Sequence, residues 1–321
     1  MGPNLKNNSF TKKDILNSFK LIKKSKNITL LTHFRPDGDG ISACAALEDI
    51  LLRLNKNVET IYPTKPEFKF KRSSKNSFIN QHKQKPDLLI ALDTANYERL
   101  YYPKVLENTP LINIDHHISN QLNGTYNFVP QKTSSTCEIL FELIKEWNIK
   151  LINKYTAECL LSGILYDSNI FQTQSTYAST LRVSAELMEL GADLYKLKTE
   201  LISNKDPKIV SLWGKLLSNI KITESGQAVW AKITQEDLKK ENLTISSLIG
   251  FNNFLSQIAD VEYTLLFYET ESGQTKVSLR SKTKDVNKLA AKFGGGGHKN
   301  ASGILSDEPI NSLIKKITSL L

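Results

Sequence analysis

The chain has 321 residues, 40% of them hydrophobic and 23% charged, which is the balance of a soluble globular protein of about two domains. Its net charge is +9 and its pI about 9.2, so polyanionic partners fit, although a solvated lysine surface is the simpler source of the same excess. Cys44, Cys137 and Cys159 stand far apart with no C-x-x-C, which excludes a disulfide framework and a zinc ribbon and suits a reducing cytoplasm.

The longest apolar run, near Ala157 to Tyr166, is too short and too interrupted to span a bilayer. The N-terminus lacks a signal-peptide core, and Lys6 stands where myristoylation at Gly2 needs Ser or Thr. A cytoplasmic location with no membrane partner is expected.

Residues 11–26 show helical spacing of apolar and basic positions, with Thr11 as the cap. Asn27 to Thr32 is a β-branched apolar run that reads as a buried strand, and Ile41 to Leu54 reads as a helix. Strand, polar loop and helix open a parallel α/β sheet, in which ligands gather beyond the carboxyl ends of the strands. Pro63 to Lys85 is polar and basic and is expected to be an exposed excursion. Leu88 to Leu92 and Leu111 to Ile114 are further strands, and Ser135 to Trp147 and Thr156 to Leu165 are helices. Thr176 to Asn219 reads as helical, with a break at Asn204-Lys-Asp-Pro207. Ala228 to Ile233, Val261 to Tyr268 and Lys276 to Arg280 then read as strands, and Leu243 to Ile258 and Val286 to Phe293 as helices. The expected organisation is an N-terminal open parallel-sheet domain over 1–190, a helical connector over 191–220 and a smaller α/β domain over 221–321.

Three strand-like runs end in metal-binding side chains: His33, Asp93 and Asp115-His116-His117. Asp37 and Asp39 follow His33, and Asp167 follows a helix. One sheet edge serving one site requires this placement. Asp37-Gly-Asp39 alone reads as a surface turn, but two carboxylates so close repel unless a cation lies between them. Adjacent imidazoles after a buried strand point the same way. Carboxylates and imidazoles together hold paired divalent metals, which activate water for attack on phosphorus. Asp93 or Asp167 alone would be weak, since such residues often cap a helix. Gly294 to Gly297, followed by His298, reads as a loop whose amides can approach an anion closely. Arg280 reads equally as a fork onto phosphate or as a solvated strand-end charge.

The order His33…Asp37-x-Asp39, Asp93, Asp115-His116-His117, Asp167 resembles the four motifs of the DHH phosphoesterase superfamily. The tail, with Ser278-Leu-Arg280-Ser281 and Gly294-Gly-Gly-Gly-His298-Lys-Asn-Ala-Ser-Gly303, is similar to the DHHA1 domain that often follows. The resemblance covers nearly the whole chain. In length and lack of extra domains it is most similar to the NrnA-type nanoRNases, oligoribonucleases that also hydrolyse 3′-phosphoadenosine 5′-phosphate (pAp).

The resemblance implies that His33, Asp37 and Asp93 hold one metal and that Asp39, Asp93, His116 and Asp167 hold the other, with Asp93 bridging. His117 would face the substrate phosphate and Asp115 would support the site. Arg280, Ser281, Gly296, Gly297 and His298 would receive the nucleotide. The implied cofactors are two divalent ions, manganese or magnesium. The implied partners are short single-stranded RNA or DNA oligonucleotides and pAp, and a homodimer is compatible. Two departures spare every implied ligand: Gly40-Ile-Ser-Ala43 replaces Ala-x-Gly-Ser after Asp39, and Ser168 replaces Thr after Asp167. Other readings are a RecJ-like single-strand exonuclease, a pyrophosphatase, a cyclic-dinucleotide or pApA phosphodiesterase, and a nucleic-acid-binding protein on a decayed DHH scaffold. The first is disfavoured because no further nucleic-acid module is evident, the second by the glycine–histidine tail and the last by a complete ligand set, while the third stays open although no membrane or sensory segment is evident.

Overall fold

The computed structural model describes residues 10–66, 74, 76–101, 108–203, 206–248 and 250–321. Gly2 and Lys6, part of the Pro63–Lys85 excursion and part of the Asn204–Pro207 break lie outside the described residues. The chain divides into two units, Met1–Asn204 and Lys205–Leu321.

In the first unit, α1 (Lys12–Lys24) begins at a reciprocal cap: the Thr11 hydroxyl accepts from the Asp14 amide, and the Asp14 carboxylate accepts from the Thr11 amide. There follow β1 (Asn27–Leu31), α2 (Gly38–Arg53), β2 (Asn57–Tyr62), β3 (Ser77–Ile79), β4 (Leu88–Leu92), β5 (Leu111–Ile114) and β6 (Tyr126–Phe128). The helices α3 (Thr136–Asn148), α4 (Lys154–Asp167), α5 (Ala178–Glu189) and α6 (Leu194–Lys198) complete the unit. The strands are parallel throughout, in the order β3-β2-β1-β4-β5-β6. Strand order reverses between β1 and β4, and a sheet of this kind opens a crevice at that reversal, beyond the carboxyl ends of its strands.

β1, β4 and β5 are buried and mainly apolar because both faces are covered. Ile28, Leu30, Ile90, Leu92, Ile112 and Ile114 join residues of α1 to α5 in one core. Leu31, Ile61, Leu89, Ala91 and Leu111 face the other way, against Leu100 and Leu122 from loops. β2 was not anticipated from sequence. It carries Glu59, which is buried and accepts from the Thr29 hydroxyl, His82 Nδ1 and the Lys83 amide. A satisfied carboxylate of this kind can occupy a sheet interior. β3 places a strand within the expected excursion.

The second unit contains α7 (Pro207–Ser218), β7 (Lys221–Ile222), β8 (Ala228–Ile233), α8 (Gln235–Lys240), α9 (Phe251–Leu255), β9 (Tyr263–Glu269), β10 (Thr275–Ser281), α10 (Val286–Ala291), β11 (Gly296–His298), β12 (Ala301–Ser306) and α11 (Ile310–Thr318). Its sheet order is β11-β12-β10-β9-β8-β7, with β8 and β9 parallel and the other pairs antiparallel. α10 and α11 pack on Leu265, Phe267, Val277, Leu279 and Ile304. α7, α8 and α9 pack on Val229, Ala231, Leu266 and Tyr268 from the opposite face.

Two expectations need correction here. The helix expected over Leu243–Ile258 is instead a 3-10 turn at Ile245–Leu248 followed by the short α9, because Gly250 takes a left-handed φ of 85° that breaks the helical run. The glycine run expected to form a loop instead enters β11, an edge strand paired with β12.

Candidate metal centre

The loops leaving β1, β4 and β5 deliver His33, Asp93 and Asp115-His116-His117 to one place. Asp37 and Asp39 reach it from the start of α2, and Asp167 from the last residue of α4. Asp37-Gly-Asp39 is therefore the first turn of a helix rather than a surface turn. Asp37 caps that helix, its Oδ1 accepting from the Asp39 amide at 3.0 Å and the Gly40 amide at 3.3 Å. Asp93 takes a left-handed φ of 58°, a conformation aspartate tolerates better than most residues, and so turns the chain sharply at the end of β4.

Two imidazoles converge on the Asp93 carboxylate. His33 Nε2 lies 3.5 Å from Asp93 Oδ2 and 3.8 Å from Asp37 Oδ1. His116 Nε2 lies 3.4 Å from Asp93 Oδ1 and 3.2 Å from Asp167 Oδ2. Potential ligand atoms group as His33, Asp37 and Asp93, and as Asp39, His116 and Asp167, each set within 4.8 Å. A third group joins Asp93 to Asp115, His116 and His117.

Asp115 is engaged on both oxygens. Its Oδ1 accepts from the His116 amide at 2.9 Å and pairs with His117 Nδ1 at 2.7 Å, while Oδ2 accepts from Asn120 Nδ2 at 2.6 Å. It orients the His117 ring and fixes the backbone at His116. Asp39 accepts from the Thr136 and Cys137 amides at 2.6 and 3.1 Å, at the first turn of α3. The free amides of a helix start favour a negative charge there. His33 Nδ1 faces the Phe34 carbonyl oxygen at 2.9 Å and Arg99 Nη2 at 3.0 Å. One nitrogen cannot donate and accept at once. A ring that ligates through Nε2 keeps its proton on Nδ1 and donates to Phe34.

Glycines bring the elements this close. A Cβ on Gly40 would sit 2.6 Å from Thr32 Oγ1 and 3.1 Å from Asp93 Oδ2. A Cβ on Gly163 of α4 would sit 2.6 Å from Asp39 Oδ1 and closer still to Cys137 Sγ. Gly163, Arg99, Asn120 and Thr136 escaped the sequence reading. Only Asn120, three residues after His117, had a local signal.

The electrostatics call for cations. Burial, then the neighbouring Asp93 charge, pushes the Asp39 carboxyl up to about 7. Burial and Asp39 push Asp167 well above the usual carboxylate range. Burial would also raise Asp93, but hydrogen bonds from His116 and His33 outweigh it and hold it well below that range. For His33, burial favours the neutral ring, yet Asp37 and Asp93 outweigh it and raise it to about 10. The same balance, with Asp93 and Asp167, raises His116 well above its ordinary value. Carboxylates crowded out of water demand positive charge, and divalent ions supply it through this mixed oxygen and nitrogen donor set. The residues present fit such ions.

The second-unit residues lie on the β10–β12–β11 edge. Backbone register pairs His298 with Ala301 and Ala301 with Arg280, and it pairs Gly296 with Gly303 and Gly303 with Ser278. The His298 side chain lies outside the described residues. Arg280 is held in place, its Nε donating to Asn253 Oδ1 at 3.0 Å and its Nη1 to the Leu279 carbonyl at 3.0 Å. Gly297 has φ 150°, and a Cβ there would meet the Ala301 carbonyl oxygen at 2.6 Å. Its amide donates to Asn287 Oδ1 at 2.9 Å. The Ser281 hydroxyl donates to Glu262 Oε1 at 2.6 Å and accepts from the Lys284 amide at 2.8 Å, so it fixes a turn.

Comparison with known proteins bears on this arrangement. The description of the DHH family, N-terminal domain, matches residues 27–164, and that of the DHHA1 domain matches residues 226–321. The bifunctional oligoribonuclease and PAP phosphatase NrnA of Bacillus subtilis is 31% identical over 281 residues, covering 86% of this chain and 88% of that one. A protein of the same name from Mycoplasma genitalium is 29% identical over 321 residues, covering 95% of this chain and 98% of that one. The crystal structure of an exopolyphosphatase-related protein from Bacteroides fragilis superposes with a TM-score of 0.89 at 25% identity, covering 98% of both chains.

Proposed function

We propose that this chain, which belongs to the DHH family and carries its DHHA1 domain, is a two-metal phosphoesterase that hydrolyses short oligonucleotides to mononucleotides and pAp to AMP. The observation that carries the reading is the convergence on Asp93 of His33 with Asp37 on one side and His116 with Asp167 on the other. The Bacillus and Mycoplasma relatives are named for the same two activities, and their likeness extends over both units.

His33, Asp37 and Asp93 would hold one ion, and Asp39, Asp93, His116 and Asp167 would hold the other, with Asp93 common to both sets. Manganese is the ion proposed, with magnesium as its substitute. Paired ions of this kind lower the pKa of water and stabilise charge on phosphoryl oxygens. The protein supplies position. Asp115 fixes the His117 ring through Nδ1, and in this reading that ring faces the substrate phosphate. Asn253 and the Leu279 carbonyl pre-orient the Arg280 fork for a phosphate, which lowers the ordering cost of capture. Gly296, Gly297 and His298 take the nucleotide, and Ser281 holds the turn at Glu262. No helix among the described residues is long and apolar enough to cross a membrane. Cys44, Cys137 and Cys159 are buried and form no disulfide among the described residues, which suits the cytoplasm proposed for it.

A substrate panel with manganese tests the reading: pAp, a dinucleotide, a five-nucleotide RNA, a long single-stranded DNA and pyrophosphate. Turnover of the first three at least as efficient as that of the long strand is expected. A continuing preference for long DNA would replace the reading with a RecJ-like exonuclease.

A further inference from the structure

Resting on that reading, we propose that Phe34, with Ile118 from the loop after β5, forms a stacking surface for the nucleobase that follows the scissile phosphate, a surface that oligonucleotides use and pAp does not. Strand order places the loops after β1 and β5 on either side of the β4 loop that carries Asp93. Each flanking loop follows its metal-binding histidine immediately with an apolar side chain left in the open: Phe34 is 48% exposed and Ile118 is 88% exposed. Phosphate, water and metal chemistry give no use for apolar surface at that position. A nucleobase does.

Phe34 is also held rigidly. Its amide donates to the Arg99 carbonyl at 2.6 Å, and its own carbonyl faces His33 Nδ1 at 2.9 Å. The next residue, Arg35, sits at a left-handed φ of 55°, pinned by its amide to Thr64 Oγ1 at 2.8 Å. Non-glycine residues persist in that region only where their surroundings over-determine them, and such positions cluster at functional sites. The Arg35 guanidinium lies 5.7 Å from the Phe34 ring centroid. An aromatic ring fixed at the backbone, with a cation beside it, is the arrangement that stacks an unpaired base next to its phosphate.

The substrate decides which base this is. In the proposed reading the second unit takes the terminal nucleotide. pAp has only that nucleoside, and its scissile phosphate ends the molecule. In an oligonucleotide the scissile phosphate also carries a second nucleoside, bonded through its oxygen to the phosphorus that the His33 and Asp93 cluster receives, and Phe34 follows His33 directly in the chain. Phe34 is thus a specificity-determining residue for oligonucleotide over pAp.

The test uses the full chain with manganese and three substrates: pAp, a dinucleotide, and the same dinucleotide lacking its second base. Phe34→Ala should raise KM for the dinucleotide about tenfold, the loss expected for one stacked base, with kcat little changed. Phe34→Tyr should retain the wild-type KM. The abasic dinucleotide should be handled alike by wild type and Phe34→Ala, and pAp turnover and metal content should not move. An equal loss on the abasic substrate or on pAp would overturn the inference, as would an unchanged dinucleotide KM. If the wild-type chain cleaves neither pAp nor the dinucleotide, the functional reading itself fails and takes this inference with it.

Discussion

Replacing Gly40 with alanine probes how tightly the metal ligands are packed. At an open helix position alanine is more favourable than glycine by about 1 kcal/mol. Here the new Cβ would lie 2.6 Å from Thr32 Oγ1 and 3.1 Å from Asp93 Oδ2. Thr32 and Asp93 are buried at 0% and 1% exposure, so neither can swing into solvent. Overpacking of this kind costs about 1–3 kcal/mol, which outweighs the helical gain and leaves a net loss of up to about 2 kcal/mol. In a unit of this size a loss of about 2 kcal/mol lowers Tm by roughly 4–8 °C. Thr32 Oγ1 is buried with no hydrogen-bond partner among the described residues, so Thr32→Ala removes the obstruction without orphaning another group. In the Thr32→Ala background only the Asp93 contact at 3.1 Å remains, so Gly40→Ala should recover most of its loss. The two substitutions should therefore couple by about 1–2 kcal/mol, as contacting residues do. Thermal unfolding of the four proteins in chelator, followed by circular dichroism, measures this. If Gly40→Ala raises Tm equally in both backgrounds, the packing argument is refuted.

Asp93→Asn should abolish hydrolysis and deplete both ions while leaving the circular dichroism spectrum unchanged, because an amide brings no charge to neutralise them; near-normal turnover with full metal content would contradict the shared-ligand assignment. Arg280→Ala and His298→Ala should raise KM for pAp and dinucleotide without changing metal content, and metal loss in His298→Ala would mean that the glycine–histidine strand belongs to the metal centre. Glu262 is drawn down to about 2: burial opposes this, but hydrogen bonds from the Ser281 hydroxyl and the Thr283 and Lys284 amides outweigh it. Its contribution to stability is present above its ordinary value of 4.5 and is lost as pH falls towards about 2. Glu262→Gln should flatten the pH dependence of urea unfolding across that window, and an unchanged slope would remove Glu262 from the account.

The parts of the fold that sequence made legible are those whose cause is local. β1, β4 and β5 read as strands because a parallel strand covered on both faces is a mainly apolar run free of charge, and each run is followed closely by its ligand. β2 was illegible because Glu59 interrupts it, and the donors that make Glu59 tolerable come from Thr29, His82 and Lys83, distant in sequence. The same division holds at the site. The histidines and aspartates stand out by type and order, and the structure brings His33, Asp37, Asp39, Asp93, His116 and Asp167 together. Thr136 and Gly163 have no local signature. Thr136 matters because α3 starts against Asp39 and the Thr136 hydroxyl donates to Asp93 Oδ1 at 3.3 Å, and Gly163 because α4 passes over the Asp39 carboxylate. The glycine run read as an anion-binding loop because its composition permits one, but pairing with β12 draws it into a strand.

Anomalous diffraction from crystals of the chain grown with manganese tests the central claim most directly. Two manganese peaks are predicted for each chain, one against His33 and Asp37, the other against Asp39, His116 and Asp167, both within bonding distance of Asp93. A single peak, or two peaks of which only one touches Asp93, would contradict it.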